Sequence, residues 1–110
     1  MTVSYFVRYQ GTPADRAAFD AHYAGQHAAL LRNFPGIRSL ILHSPAAARD
    51  PFPTNDGGLH LLSQMVFDSE AALQAALDSE ARRRAFADRA NFPTFNGTIA
   101  HQAMRAETVF

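Results

Sequence analysis

His27 is the residue whose type and position point most directly to chemistry. It falls within a stripe of apolar side chains on the first predicted helix, so we expect it to be buried. Burial without a charged partner lowers the pKa of a histidine and leaves a neutral imidazole at pH 7. Such a ring can abstract a proton next to a carbonyl group. The alternative role for His27 is that of a structural histidine in the core.

Two tyrosines are candidate partners of His27. Tyr23 lies about one helical turn before it, and Tyr5 lies on the first predicted strand. A phenol carries one hydrogen-bond donor on an apolar body and could stabilise a developing enolate oxygen. We therefore name Tyr23 as a second catalytic candidate and Tyr5 as a substrate-binding candidate. Aromatic residues at these spacings are also common as plain core residues, and that alternative stays open.

Arg8 interrupts an otherwise apolar strand and is a candidate for binding the substrate. Its guanidinium could hold a substrate carboxylate through two parallel hydrogen bonds. A position facing solvent, or at the rim of a dimer, would explain the same residue without any function.

The strand histidines His43, His60 and His101 lie on three different predicted strands. If two of them shared a face, they could transfer protons or bind a metal ion, and we include His43 and His60 among the substrate-binding candidates. The spacings do not favour a metal site. His22 and His27 are five positions apart and would not fall on one face of a regular α-helix.

Other motifs argue against several classes of enzyme. The run Arg82–Arg84 is typical of a solvated helix face, and Asp88 is expected to cap a helix or to pair locally. We find no serine nucleophile elbow, no phosphate-binding glycine loop and no paired carboxylates. Hydrolase and nucleotide-dependent activities therefore have no support in the sequence.

Composition indicates one globular domain spanning residues 1–110, with 47% hydrophobic and 18% charged residues. Ten basic and ten acidic residues give a formal net charge of zero, which disfavours binding to nucleic acid or to an anionic membrane. There is no cysteine, so disulfides and thiolate metal sites are excluded. No apolar run reaches the length of a membrane span, and we expect a cytoplasmic location.

Periodicity and turn residues predict the helices and strands that carry these side chains. The predicted order is a strand at Val3–Tyr9, a helix from Thr12 as N-cap and Pro13 to Phe34, a strand at Ile37–His43, a loop at Ser44–Gly58, a strand at Leu59–Phe67, a helix from Asp68 or Ser69 to Ala90 that breaks near Asp78–Ser79, and a strand at Thr98–Val109. This βαββαβ order predicts an α+β, ferredoxin-like protomer with a four-stranded antiparallel sheet. Because the strands are apolar on both faces, we expect the second face to pack on another copy of the chain, as a homodimer.

The residues also resemble a known family. The run F-D-A-H-Y (Phe19–Tyr23), then His27, then F-P-G-I (Phe34–Ile37) is similar to the EthD family of the dimeric α+β barrel superfamily. The segments Met65–Ala71 and Ala87–Phe92 extend the resemblance over nearly the whole chain. The loop at Ser44–Gly58 is longer than in the shortest members of the family.

The resemblance implies a dimer whose two sheets face each other as a barrel, with a small-molecule cleft between sheet and helices. Its relatives include isomerases, decarboxylase-like enzymes and oxygenase-like enzymes that act on lactones, aromatics and polyketides without metal or organic cofactor. We therefore expect a cofactor-independent enzyme of catabolism or secondary metabolism that binds a small apolar, aromatic or lactone-like ligand. Its acid–base chemistry would be the isomerisation, cyclisation or decarboxylation of a lactone, phenol or polyketide-like compound. Two other functions stay open: a non-catalytic dimer that binds a hydrophobic metabolite, and a reductase or monooxygenase of the EthD type.

Overall fold

The computed structural model describes residues 1–110 and shows a four-stranded antiparallel sheet with helices on one face. The elements are, in chain order, β1 (Thr2–Pro13), α1 (Arg16–His22), a π-helical turn (Tyr23–His27), α2 (Ala28–Leu31), β2 (Ser39–His43), β3 (Leu59–Phe67), α3 (Glu70–Leu77), α4 (Glu80–Ala87), a 3₁₀ turn (Asp88–Asn91) and β4 (Phe95–Ala106). The strands are arranged β2-β3-β1-β4, and all neighbours are antiparallel. This is the ferredoxin-like plan, so the predicted fold class is confirmed.

The two faces of the sheet differ because successive side chains of a strand alternate between them. The helices cover the face that carries Val3, Tyr5, Val7 and Tyr9 of β1, opposite Phe67, Met65, Ser63 and Leu61 of β3. The other face carries Ser4, Phe6, Arg8 and Gln10 of β1, and we call it the open face. The open face has no layer of this chain packed against it.

Aromatic side chains join the helical layer to the covered face. Phe19 and Tyr23 each have only 1% of their surface exposed. Both rings meet Tyr9 of β1 edge to face, at centroid distances of 5.4 and 5.7 Å. The remaining buried apolar residues are Val3, Val7, Leu31, Phe34, Leu61, Met65, Phe67, Leu73, Ala76 and Ala85. This packing fixes the orientation of the helix that carries the histidine candidates.

The first strand is longer than predicted, and the first helix begins later. We predicted Thr12 as N-cap and Pro13 as the first helical residue, but β1 continues to Pro13 and Asp15 is the N-cap. The cause is tertiary, because this end of β1 pairs with β4, where Gly11 lies directly opposite Gly97. A Cβ atom at either glycine would overlap the backbone of the other strand, so only glycine allows this pairing.

The second half of the chain follows the predicted order closely. The long helix breaks where expected, with α3 ending at Leu77 and Ser79 capping α4 through a 3.3 Å hydrogen bond from the Arg82 amide. The loop at Ser44–Gly58 contains no helix or strand and is exposed throughout. β4 lies earlier than predicted, at Phe95–Ala106 instead of Thr98–Val109, because its first residues pair with the extended end of β1.

None of the helices combines the length and the hydrophobicity that crossing a membrane requires.

Candidate active site

An apolar cavity of about 860 Å³ lies between the covered face of the sheet and the helical layer. Of its 19 lining residues, 13 are hydrophobic. Tyr23 and His27 contribute to its wall, together with Phe92, which precedes β4, and Phe95, the first residue of β4. Ligand sites commonly measure about 300–1,000 Å³, so this cavity fits a small organic molecule.

The π-helical turn places His22 and His27 on the same side of the helix. In a regular α-helix, residues five positions apart project about 140° from each other. Here the Ala28 amide donates a hydrogen bond to the Tyr23 carbonyl oxygen, five residues back, and the wider turn brings the two imidazoles together. The prediction that these histidines do not share a face is therefore wrong, because it assumed an unbroken α-helix.

Asp88 binds both imidazoles. Its Oδ2 accepts hydrogen bonds from His22 Nε2 at 2.8 Å and from His27 Nδ1 at 2.9 Å. Its Oδ1 accepts hydrogen bonds from Gln26 Nε2 at 3.0 Å and from Asn91 Nδ2 at 2.9 Å. With 3% of its surface exposed, Asp88 is a buried carboxylate that accepts four hydrogen bonds from the protein. Asp88 thus holds the two histidines in place, which is more than the local role predicted for it.

Asp88 is ionised at neutral pH. Burial raises the pKa of this carboxyl, but the hydrogen bonds from Asn91, His27 and His22 outweigh burial and hold the pKa at about 2. A carboxylate can only accept hydrogen bonds, so the proton between the two groups belongs to His27 Nδ1. The second ring nitrogen, Nε2, therefore carries the free lone pair of the neutral imidazole.

His27 combines burial with a fixed orientation. Its residue surface is 8% exposed, and its ring packs edge-on against Tyr23 and Phe92 at centroid distances of 5.0 Å. Burial lowers the pKa of His27, while the hydrogen bond with Asp88 acts in the opposite direction. The result is a neutral base at pH 7 whose conjugate acid has a carboxylate beside it.

Tyr23 supplies a protonated hydroxyl next to His27. Burial raises the pKa of Tyr23, against the lowering effect of its hydroxyl neighbours Ser63 and Tyr9. The phenol therefore keeps its proton at neutral pH and can donate a hydrogen bond. Ser63 Oγ is fully buried beside Tyr23 and does not line the cavity. The site thus pairs a neutral base with the Tyr23 hydroxyl.

The family of this chain is shown by the sequence between the end of β1 and the start of β4. The model of the EthD domain matches residues 12–95. The chain belongs to the EthD family. A protein of Rhodococcus erythropolis from the same family, described as an uncharacterized 11.0 kDa protein of the thcB–thcC intergenic region, is 35% identical over 87 residues. That match spans 79% of this chain and 81% of the other protein.

Solved structures extend the EthD match to the full fold. An EthD family protein of Bacillus halodurans superposes with a TM-score of 0.78 and is 24% identical, with 97% of this chain and 100% of the other covered. SnoaB of Streptomyces nogalater, a cofactor-independent oxygenase, superposes with a TM-score of 0.64 at 17% identity, with 98% and 96% of the two chains covered. Both likenesses show the fold alone.

Of the six predicted site residues, only Tyr23 and His27 line the cavity of this EthD-family chain. Tyr5 lies on the covered face with its ring 5.9 Å from that of His101, which does line the cavity. Tyr5 therefore contacts a residue of the cavity wall, His101, but does not line the cavity itself.

Arg8 and His43 lie on the open face, away from the cavity of their own chain. His43 Nε2 is 2.9 Å from Gln64 Oε1, and Gln64 donates in turn to Ser4 Oγ at 3.1 Å. Arg8 is half-buried on the same face. The alternation of side chains along a strand explains this placement, since one strand sends neighbouring residues to opposite faces.

His60 is 9% exposed and contacts the first helix instead of the cavity. Its Nε2 lies 2.7 Å from Asp20 Oδ1, and its ring meets Phe19 edge to face at 5.4 Å. The strand histidines thus make three separate sets of contacts. No group of three or more histidine, aspartate or glutamate side chains is arranged to hold a metal ion.

Sequence reasoning missed the two partners of His27. Helical periodicity placed His22 and His27 on different faces, and Asp88 was given only a local role, yet His22 and Asp88 meet across 66 residues of sequence. Helical periodicity cannot reveal this contact, because it presumes a constant turn. The available signal was the presence of two histidines five positions apart with a glycine, Gly25, between them.

We expect the fold to lose stability in acid because of Asp88 and His27. The pKa of Asp88 lies below its ordinary value of 3.8, at about 2, so the stability it contributes is complete above pH 4 and is lost as the pH falls towards 2. The pKa of His27 is also lowered from 6.5, so its contribution declines as the pH falls below that value. The melting temperature should drop by about 5 °C or more between pH 6 and pH 3, as measured by calorimetry. In His27→Gln, which lacks the titrating ring, this drop should be smaller, and an equal drop would contradict the assignment.

Proposed function

We propose that this EthD-family protein is a small-molecule enzyme in which His27 transfers a proton within the apolar cavity. The observation that carries the proposal is the pair of contacts of His27. Nδ1 is held by the buried Asp88 carboxylate at 2.9 Å, and the ring lies in the wall of the cavity. A neutral histidine oriented by a carboxylate is a recurrent arrangement for general acid–base catalysis.

In this proposal, Nε2 of His27 removes a proton from a carbon next to a carbonyl group or from a phenol. The positive charge that forms on the ring is stabilised by the adjacent Asp88 carboxylate. The substrate oxygen, on which negative charge forms, accepts a hydrogen bond from the Tyr23 hydroxyl. Return of a proton from the His27 ring to a different carbon completes an isomerisation, in which one C–H bond breaks and another forms. Cyclisation and decarboxylation proceed through an enolate of the same kind.

A second candidate reaction is oxygenation. The fold match with SnoaB favours it, because that protein is described as a cofactor-independent oxygenase. Here the first step would be the same, since deprotonation of a phenol by His27 yields an electron-rich phenolate that molecular oxygen can oxidise. The two reactions differ in whether oxygen is consumed.

The proposal can be tested without knowing the natural substrate. The protein is incubated in D₂O with a panel of β-keto lactones, hydroxynaphthalenes and small keto acids, and proton NMR records deuterium exchange at acidic carbon positions. We expect exchange of at least one class above the buffer rate, and an oxygen electrode then separates isomerisation from oxygenation. Binding of panel members without exchange or oxygen uptake would overturn the enzymatic proposal in favour of a metabolite-binding dimer.

We further propose that two chains pair through their open faces. Ile41 and Met104 are 42% and 48% exposed there, and Phe6, Leu62 and Val66 are half-buried on the same face. An apolar sheet face of this extent is unfavourable in water, and two-fold pairing covers it on both chains at once. The pairing would also cover Arg8 and His43, which the cavity of their own chain does not use.

Ile41→Lys should convert the dimer to a monomer, because a buried, unpaired ammonium within the interface costs several kcal/mol. Leu42→Lys is the matched control, since Leu42 is 38% exposed on the same strand but projects to the opposite face. Light scattering after gel filtration measures the mass. A monomeric wild type, or a dimeric Ile41→Lys, would overturn this proposal.

A further inference from the structure

The three consecutive arginines Arg82–Arg84 are not equivalent in the structure. Arg83 and Arg84 are exposed, and both pair with Glu80, at 2.5 and 4.0 Å. Arg82 is half-buried, lines the cavity and forms no ion pair with any carboxylate. The prediction of a solvated helix face therefore holds for two of the three residues and is wrong for Arg82.

Arg89 is a second guanidinium on the cavity without a carboxylate partner. It stacks on the ring of Phe86 at 4.6 Å, and both residues are exposed, which places them at the rim. This cation–π contact restrains a long side chain that would otherwise be free, so the charge stays beside the opening. His27 and Tyr23, by contrast, are buried and lie deeper in the cavity.

The lining of the cavity contains no acidic residue, although it contains two arginines and two histidines. Asp88 does not offset this imbalance at the rim, because it lies behind His27 and already accepts four hydrogen bonds. The two arginines also lower the pKa of His101, in addition to the effect of burial. The cavity is thus an apolar space with an uncompensated positive charge at its opening.

We propose that the natural ligand is an aromatic or apolar compound that carries one carboxylate, which binds Arg82 and Arg89 while the apolar body extends towards Tyr23 and His27. An apolar cavity alone would favour neutral compounds, whereas two unpaired guanidiniums favour an anion, and guanidinium matches the planar geometry of a carboxylate. The inference rests on the proposed function in placing the reacting end of the ligand beside His27. It narrows the substrate class to acids.

The test uses 2-naphthoate and its neutral counterpart 2-naphthamide as probes. Naphthalene fluorescence reports their binding directly, because the protein contains no tryptophan. We expect the wild type to bind 2-naphthoate at least tenfold more tightly than 2-naphthamide, and added salt to weaken only the former. In Arg82→Met, the Kd for 2-naphthoate should rise about 10- to 100-fold, as expected for the loss of a charged hydrogen bond, while the Kd for 2-naphthamide changes little.

Arg83→Met is the matched control, since it removes an arginine that is adjacent in sequence, exposed and paired with Glu80. Arg89→Met repeats the test from the rim if the Arg82 variant fails to fold. Equal binding of the two probes, or equal losses in the Arg82 and Arg83 variants, would overturn the inference. Failure of both probes to bind would also overturn it. Deuterium exchange at the carbon atoms of the panel compounds, which tests the role of His27, is measured separately, so either proposal can fail without the other.

Discussion

His27→Gln is expected to lower the rate of deuterium exchange by about 10²- to 10⁴-fold, the usual contribution of a positioned general base. Glutamine retains a hydrogen-bond donor that can face Asp88, but its amide is not basic at any pH that the fold survives. The variant should therefore fold and bind ligand while losing proton transfer. Exchange followed by proton NMR, together with ligand binding to the same sample, measures both quantities.

His43→Gln is the matched control for this substitution. His43 lies on the open face and makes its one side-chain hydrogen bond to Gln64, outside the cavity. We expect the exchange rate of that variant to equal that of the wild type. Unchanged exchange in His27→Gln would contradict the proposed base, whereas loss of exchange in both variants would point to a role for the dimer interface instead.

Asp88→Asn is expected to destabilise the fold by about 3 kcal/mol, which corresponds to a melting temperature lower by roughly 10–15 °C. The reason is that an asparagine amide has fewer hydrogen-bond acceptors than the Asp88 carboxylate. Asp88 accepts two hydrogen bonds on each carboxylate oxygen, and in asparagine one of these oxygens becomes an NH₂ group. Two donors from the protein must then lose their partner in a buried position. Thermal unfolding by calorimetry measures the loss.

The same substitution distinguishes a positioning role of Asp88 from a purely structural one. The Asp88 carboxylate raises the pKa of His27 against the effect of burial, so its replacement should lower that pKa further. NMR titration of the His27 ring in the folded variant measures this change. The acid limb of the exchange profile should move to lower pH in parallel, and the maximal rate should fall because the charge on His27 is no longer stabilised.

Asp20→Asn is the control for Asp88→Asn. It also removes a carboxylate that contacts a histidine, since Asp20 Oδ1 lies 2.7 Å from His60 Nε2, but the Asp20 side chain is 55% exposed. Its loss should change the melting temperature by only about 2 °C, because water replaces the missing acceptor. Similar losses in the two variants, or a His27 pKa unaffected by Asp88→Asn, would overturn the role assigned to Asp88.

Much of the fold could be predicted because its signals are local. Alternating β-branched and aromatic residues marked β1, and an apolar run marked β3. A failure of helical periodicity marked the break between α3 and α4 near Asp78–Ser79. The errors lie at element ends. Thr12 and Pro13 have the residue types of a helix start, but pairing with β4 overrides that preference, since a ladder of backbone hydrogen bonds outweighs a single cap.

The candidate site could be predicted only in part. Sequence by itself determined that His27 and Tyr23 lie on the apolar, core-facing side of the first helix, because this side follows from the spacing of apolar residues within one segment. It also determined the order of elements and, through the motifs around His27, the EthD family, which the match over residues 12–95 confirmed.

Only the tertiary structure decided which residues act together. It widened one turn of the helix so that His22 and His27 meet Asp88, which is 61 residues after His27 in sequence, and it sent Arg8 and His43 to the open face. It also turned Arg82 towards the cavity and Arg83 towards solvent, although the two are identical in type and adjacent. These outcomes depend on contacts between distant segments and on the direction of each side chain, and neither is encoded in local periodicity.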